Sequence, residues 1–224
     1  MEWGPALACA ALVLAGVPSV RAMQHGMTGN SGKQGASCND NCHLGGVTPL
    51  VRFEGTQRVM ADAVATFRFV VTSQASKQKV AGFNVATSDG ILDVVAGQSE
   101  HVELDELTHD APKVNADGEA GWQFTWHAPN QPGAYTLYGS GLSANANGTD
   151  GGDDSNLTTL NVTVTSEAIG DANCDTRVFV ADVTAVVMLL PAGVPTTCNG
   201  ADVNGDGAVN VADVAAVVTA VFGD

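Results

Sequence analysis

Trp122-Gln123-Phe124-Thr125-Trp126 places three aromatic side chains two residues apart. A period of two puts all three on one face of an extended strand, whereas a helix would scatter them. Ala65-Thr66-Phe67-Arg68-Phe69-Val70-Val71 alternates in the same way. Working outward, about seven such runs are predicted, near 49–54, 58–71, 80–87, 91–95, 119–127, 133–140 and 157–165. Asp89-Gly90, Pro129 to Gly133 and the run Asn145 to Asp154 punctuate them as turns.

That spacing predicts a mainly β chain, with a β-sandwich of immunoglobulin or fibronectin-III type over residues 48–166 and the aromatic stripe in its core. The acids Glu103, Asp105, Glu106 and Asp110 are expected in a solvated loop. Asp150, Asp153 and Asp154 offer carboxylates for a further cation, but with no regular ligand spacing.

The last quarter is built differently. One twelve-residue pattern occurs twice, at Asp171–Asp182 and at Asp202–Asp213. Asp171, Asn173, Asp175 and Asp182 put oxygen side chains at positions 1, 3, 5 and 12; Asp202, Asn204, Asp206 and Asp213 repeat them, and Asn210 adds position 9. Calcium takes six to eight oxygens, and a loop of this length supplies them, with the backbone carbonyl of position 7 (Arg177, Ala208) completing the set. Val178 and Val209 at position 8 are expected to pair the loops. Short apolar helices should follow, Asp182–Leu190 and Asp213–Phe222, held by metal and mutual packing.

The duplicated loop–helix over 169–224 resembles the type I dockerin, a calcium-dependent docking module of bacterial extracellular assemblies. The resemblance implies two EF-hand-type calcium sites, a small helical domain over 167–224 and a cohesin-like partner. Such modules commonly meet it through positions 10 and 11, which here are Val180-Ala181 and Val211-Ala212. Thr176 at position 6 and Phe179 at position 9 depart from the usual glycine and polar residue, so the first site is expected to be the weaker.

A net charge of −15 with nine Lys and Arg argues against nucleic acid or an anionic membrane as partner. Residues 166–224 hold eight acids and one base. Ala6 to Val17 is an apolar run too short to span a bilayer, and Val20-Arg21-Ala22 follows as a cleavage box, so 1–22 reads as a signal peptide. The mature protein is then secreted or displayed on a cell surface. Its four cysteines suit an oxidising compartment, and a Cys174–Cys198 disulfide is expected to staple the repeats.

Residues 23–47 form a Gly- and Ser-rich leader that contains Cys38-Asn39-Asp40-Asn41-Cys42-His43. This is similar to the c-type haem attachment motif, C-x-x-C-H, with one additional residue between the cysteines. The resemblance implies two thiols bonded to a covalent haem c and His43 on the iron. The alternative is a Cys38–Cys42 disulfide beside an ordinary surface histidine.

A second family resemblance covers about 24–165. It rests on Thr28-Gly29-Asn30-Ser31-Gly32, Cys42-His43-Leu44-Gly45-Gly46, Ala81-Gly82-Phe83-Asn84-Val85 and Glu106-Leu107-Thr108-His109, then Phe124 to Pro129, Gly139-Ser140-Gly141, Asn145, Asn147-Gly148 and Gly152-Asp153. Together they look like the choice-of-anchor V domain, an exported bacterial sandwich distantly similar to the reelin domain. It implies a C-terminal anchor, here the dockerin-like tail. It also marks His109 as a distal haem-ligand candidate, ahead of His25 and His101.

No nucleophile elbow, zinc-protease or phosphate-loop motif is present, so no enzyme activity is expected. Three readings compete: a calcium-docked anchoring module, a monohaem electron carrier, and a carbohydrate-active component of a polysaccharide-degrading complex.

Overall fold

Glu119–His127, strand β10 in chain order, pairs antiparallel with Val64–Thr72 (β4), setting Trp122 opposite Phe69 and Phe124 opposite Phe67. Leu50–Glu54 (β2) and Ile91–Val94 (β6) complete a four-stranded sheet in the order β2-β4-β10-β6. These relations come from a computed structural model, which describes residues 24–40, 42–175, 177–190 and 198–223. The expected signal peptide and Thr176 lie outside the described residues.

A larger sheet covers the aromatic face. Its strands are Leu44–Gly45 (β1), Arg58–Met60 (β3), Val80–Thr87 (β5), Glu100–Glu103 (β7), Glu106–His109 (β8), Lys113–Val114 (β9), Gly133–Ala144 (β11) and Gly151–Thr165 (β12). The path runs β1-β12-β11-β5-β8-β7, with β3 also on β12 and β9 also on β5. Between the sheets Phe67, Phe69, Phe83, Trp122, Phe124 and Trp126 are no more than 1% exposed. Phe83 and Trp122 pack at 4.6 Å between centroids, and Phe53 meets Phe69 edge-on at 5.0 Å. Such pairs add stability beyond their buried area.

Three expectations need correction. The run 58–71 is two strands in different sheets, split at Asp62, whose φ of 65° turns the chain. Apolar residues continue across that break, so alternation alone could not see it. The acid cluster is not a solvated loop: β7 and β8 form a hairpin whose two turn residues, Leu104 and Asp105, both have positive φ, and Glu106 behind them is buried. A turn of that hand favours Asn or Gly, so Leu104 hid it. Lastly, residues 151–154 belong to β12, and Asp153 is buried.

Glu100 on β7 is also buried; its Oε1 accepts the Val95 N–H at 3.0 Å, while Oε2 has no hydrogen-bond partner among the described residues. Burial pushes this carboxyl up to about 7 from 4.5. The folded chain thus keeps a proton that the unfolded chain releases, and the stability this confers, complete below about 4.5, is lost as pH rises through about 7. Glu100→Gln is therefore expected to stabilise the protein by about 2 kcal/mol at pH 8 and by almost nothing at pH 4, read from thermal unfolding at both values.

The C-terminal module holds two helices, Val180–Leu189 (α1) and Val211–Phe222 (α2), each starting two residues before its expected bound, with a 3-10 turn at Asn199–Ala201. Its core is small: Ala172, Val186, Ala201 and Val217 are buried, with Val209 and others packed around them. Cys174 and Cys198 form the expected disulfide. The module touches the sandwich where the Arg58 guanidinium of β3 donates to the Asp202 carbonyl. No helix among the described residues is long and apolar enough to cross a membrane.

Candidate functional site

The leader is not a loose appendage. Strand β5 is buried along nearly its whole length because Phe83 and Val85 face the sandwich core while Asn84, on the opposite face, lies under the leader. Gly29 N–H donates to Glu106 Oε2 at 2.6 Å, Ser31 Oγ to Glu106 Oε1 at 3.2 Å, and Asn30 N–H to Asn84 Oδ1 at 2.9 Å. Thr28-Gly29-Asn30-Ser31-Gly32 is therefore a clasp. Gly29 and Gly32 take positive φ there, a conformation glycine adopts without strain. Farther along, Cys38 N–H and Ser140 Oγ meet at 3.4 Å.

Where the leader crosses the end of β5 it closes a cavity of about 530 Å³. Cys38, Cys42, His43 and His109 all line it, beside apolar walls from Met27, Val80 and Leu142. This volume lies within the roughly 300–1,000 Å³ usual for small-molecule and cofactor sites. The structure thus brings together the four residues that the haem resemblances imply, from positions as far apart in the chain as 38 and 109. His25 is exposed and also lines the cavity, whereas His101 does not; its Nδ1 pairs with Asp110 Oδ1 at 2.8 Å.

His43 is buried, and its Nδ1 lies 3.1 Å from Oδ2 of Asp153, which is 2% exposed. The other oxygen of that carboxylate accepts the Asn145 N–H at 2.9 Å. A carboxylate takes only donors, so His43 Nδ1 carries a proton, and in the neutral imidazole Nε2 then has the lone pair, the arrangement of a metal-ligating histidine backed by a carboxylate. Sequence reasoning assigned Asp153 to a loop, although Gly152-Asp153 stands in the string that carries the second resemblance. Asn84 stands there too, with no role visible until the leader's fold is known.

His109 occupies a gap in the sheet. Strand β8 pairs with β5 at Asn84 and Val85, and β9 pairs at Val80 and Ala81. Gly82 and Phe83 between them have no partner strand on that side. The Phe83 N–H donates to His109 Nδ1 at 3.1 Å instead, and Thr108 Oγ1 donates to the Phe83 carbonyl at 2.7 Å. Gly82 makes room, since a Cβ there would stand 2.5 Å from His109 Cε1. Burial pushes the His109 imidazole below its usual pKa, so the neutral form is favoured.

Cys38 and Cys42 are both free thiols; burial pushes Cys38 up, and Ser140 Oγ lies 3.3 Å from its sulfur. Two free thiols, an adjacent histidine presenting Nε2 and an apolar wall are the donor set and surroundings that a covalently held haem requires. The residues fit that group.

In the tail, each position-12 aspartate closes its loop through backbone amides. Asp182 Oδ1 accepts the Ala172 and Asn173 N–H groups at 2.9 and 3.3 Å, and Oδ2 accepts Phe179 N–H at 2.9 Å. The Asp175 N–H donates to Asp171 Oδ1 at 3.1 Å and the Arg177 N–H to Asp175 Oδ1 at 3.0 Å. In the second loop Asp202 accepts the Gly205 and Gly207 N–H groups, and the Asn210 amide lies against Asp206. The Ala208 N–H and the Asn204 amide hold the Asp206 carboxyl below its usual range. Cys174 takes the left-handed backbone that Gly205 takes in the second loop. The expected pairing of Val178 with Val209 is not a strand pair among the described residues; Val178 packs near Gly170 and Val209 in the small core. Val180, Val211 and Ala212 are exposed at the helix starts, and Ala181 is half-buried. Among the described residues Glu167, Cys174 and Cys198 are a trio with potential ligand atoms within 4.8 Å of one another, but the two sulfurs are bonded to each other.

No family model matches the chain, and no characterised protein matches it. Among solved structures it is similar to the CARDB domain of a Pyrococcus furiosus protein in complex with di-metal ions. That match has 16% identity and a TM-score of 0.30, over 57% of this chain and 97% of that one.

Proposed function

We propose that this protein is an exported β-sandwich that holds one covalent haem c between its leader and its larger sheet, with a calcium-ordered tail that docks it to an extracellular partner. The observation that carries the reading is the cavity where Cys38, Cys42, His43 and His109 meet, with His43 Nδ1 taken by the buried carboxylate of Asp153. Cys38 and Cys42 would hold the group through their sulfurs and His43 would ligate its iron through Nε2. A haem bound there supplies a one-electron couple. Met27, Val80 and Leu142 would keep water from its face, and the clasp of Gly29 and Ser31 on Glu106 holds the leader closed over it. The reading is of a carrier rather than an enzyme.

The tail supports the second half of the proposal. Two loops with oxygens at positions 1, 3, 5 and 12 suit two calcium ions, on Asp171, Asn173, Asp175, Arg177 and Asp182 and on Asp202, Asn204, Asp206, Ala208, Asn210 and Asp213. Exposed Val180, Val211 and Ala212, with Ala181 beside them, offer an apolar docking surface for a cohesin-like partner.

The test is an optical spectrum of protein exported from a host with cytochrome c maturation. A Soret band that shifts with dithionite, and haem that stays on the chain through denaturation, are expected. Cys38→Ser with Cys42→Ser should remove both. A colourless wild-type protein with a Cys38–Cys42 disulfide would leave only the anchoring half.

A further inference from the structure

We infer that the two buried histidines of the cavity hold opposite tautomers and do different work: His43 ligates, and His109 donates a hydrogen bond to a small exogenous ligand held beside the haem. This rests on the haem reading above and narrows it from an electron carrier to a binder of small acceptor-bearing molecules such as dioxygen, nitric oxide or peroxide.

Asp153 is an acceptor, so His43 Nδ1, 3.1 Å away, must donate, and in the neutral ring Nε2 carries the lone pair. Phe83 N–H is a backbone donor that cannot change role; His109 Nδ1, 3.1 Å away, must accept. The Phe83 carbonyl lies 3.2 Å from the same nitrogen and has a lone pair to spare, but Thr108 Oγ1 at 2.7 Å already satisfies it, whereas the buried Phe83 N–H has no other acceptor; an accepting Nδ1 pairs both groups and a donating one strands the amide. Protonating His109 Nδ1 would set one N–H against another. A neutral His109 therefore carries its proton on Nε2, which makes no hydrogen bond to any described residue.

An imidazole in that state cannot give Nε2 to a metal. It can give a proton-bearing edge to whatever enters the cavity. Gly82 fixes the ring further, since its missing Cβ is the space in which Cε1 and Nε2 lie. Turning His109 into a ligand would mean breaking the Phe83 bond and leaving a buried amide unpaired, at a site with no strand to replace it.

Two measurements test this on the full chain. The first uses haem-free protein with Cys38→Ser and Cys42→Ser, labelled with nitrogen-15 histidine. His109 should show its ring proton on Nε2 and His43 on Nδ1; a His109 proton on Nδ1 overturns the inference. The second uses the haem-loaded protein with azide as the probe. Wild type should bind azide, and His109→Leu should weaken it about 10- to 100-fold, the worth of one hydrogen bond to a charged group. His109→Gln, which restores a donor, should recover most of that loss and guards against a folding defect in the leucine variant. A loaded wild type with a low-spin bis-imidazole spectrum that refuses azide, and that gains azide binding in His109→Leu, overturns this inference while leaving the haem reading intact. A colourless chain removes both.

Discussion

Asp213→Ala is expected to unfold the C-terminal module while the sandwich stays folded. Asp213 is fully buried, and its two oxygens tie Val203 and Asn204 at the start of the loop, at 2.8 and 3.2 Å, to Asn210 near its end, at 2.8 Å. It also stands at the third position of α2, where its carboxylate and Asn210 form a capping box. Truncation leaves those N–H groups without their acceptor, at a cost of about 3–5 kcal/mol. A core of four buried residues has little stability in reserve. Loss of helical circular dichroism and rapid proteolysis confined to residues 167–224 should report it. Calcium should raise the wild-type unfolding temperature, by up to about 3 kcal/mol of stabilisation at a hundredfold excess over Kd. A tail that unfolds in the variant, yet is untouched by calcium or chelator in the wild type, would make Asp213 a structural cap and end the calcium reading.

Asp213 also shows how far a sequence can be read. Repetition of Asp, Asn and Asp at spacings of two, with a further Asp at position 12, was enough to place both loops and the helices behind them. It could not show that each twelfth residue starts its work by bonding backbone amides across its own loop. The sandwich was legible for a similar reason: Phe67, Phe69, Trp122, Phe124 and Trp126 alternate because one face is buried. What stayed hidden lies in pairings between distant segments. Thr28 to Gly32 looks like flexible linker until Glu106 and Asn84 are seen to receive it. Glu106 looks like one more surface acid because its neighbours Glu103 and Asp105 are exposed. His109 was marked by resemblance alone, and no pattern in the sequence revealed that β8 and β9 leave Phe83 N–H for it to accept.

Asp153→Asn is expected to separate orientation from folding at the cavity. The carboxylate accepts two donors at once, His43 Nδ1 and the Asn145 N–H. An amide has one acceptor and one donor. Asn145 N–H is fixed backbone, so it keeps the remaining oxygen, and the new NH₂ faces His43 Nδ1. The imidazole must then accept there, and its proton moves to Nε2, the nitrogen proposed to bind iron. The fold should survive, and haem should remain on Cys38 and Cys42, while binding of its iron by His43 weakens by about 10- to 100-fold. A changed spin state in the loaded protein and a histidine nitrogen-15 shift in the haem-free one would report it. Asp153→Ala strands both donors and should cost about 2–5 kcal/mol of stability, so the two variants read different quantities. If the asparagine variant keeps both the His43 tautomer and the wild-type spectrum, the pair only fastens β12 to the leader. The His43 end of the cavity would then need another source of its orientation. If the tautomer inverts and the spectrum changes with it, one buried carboxylate, 110 residues beyond the histidine, decides which nitrogen of His43 carries the proton.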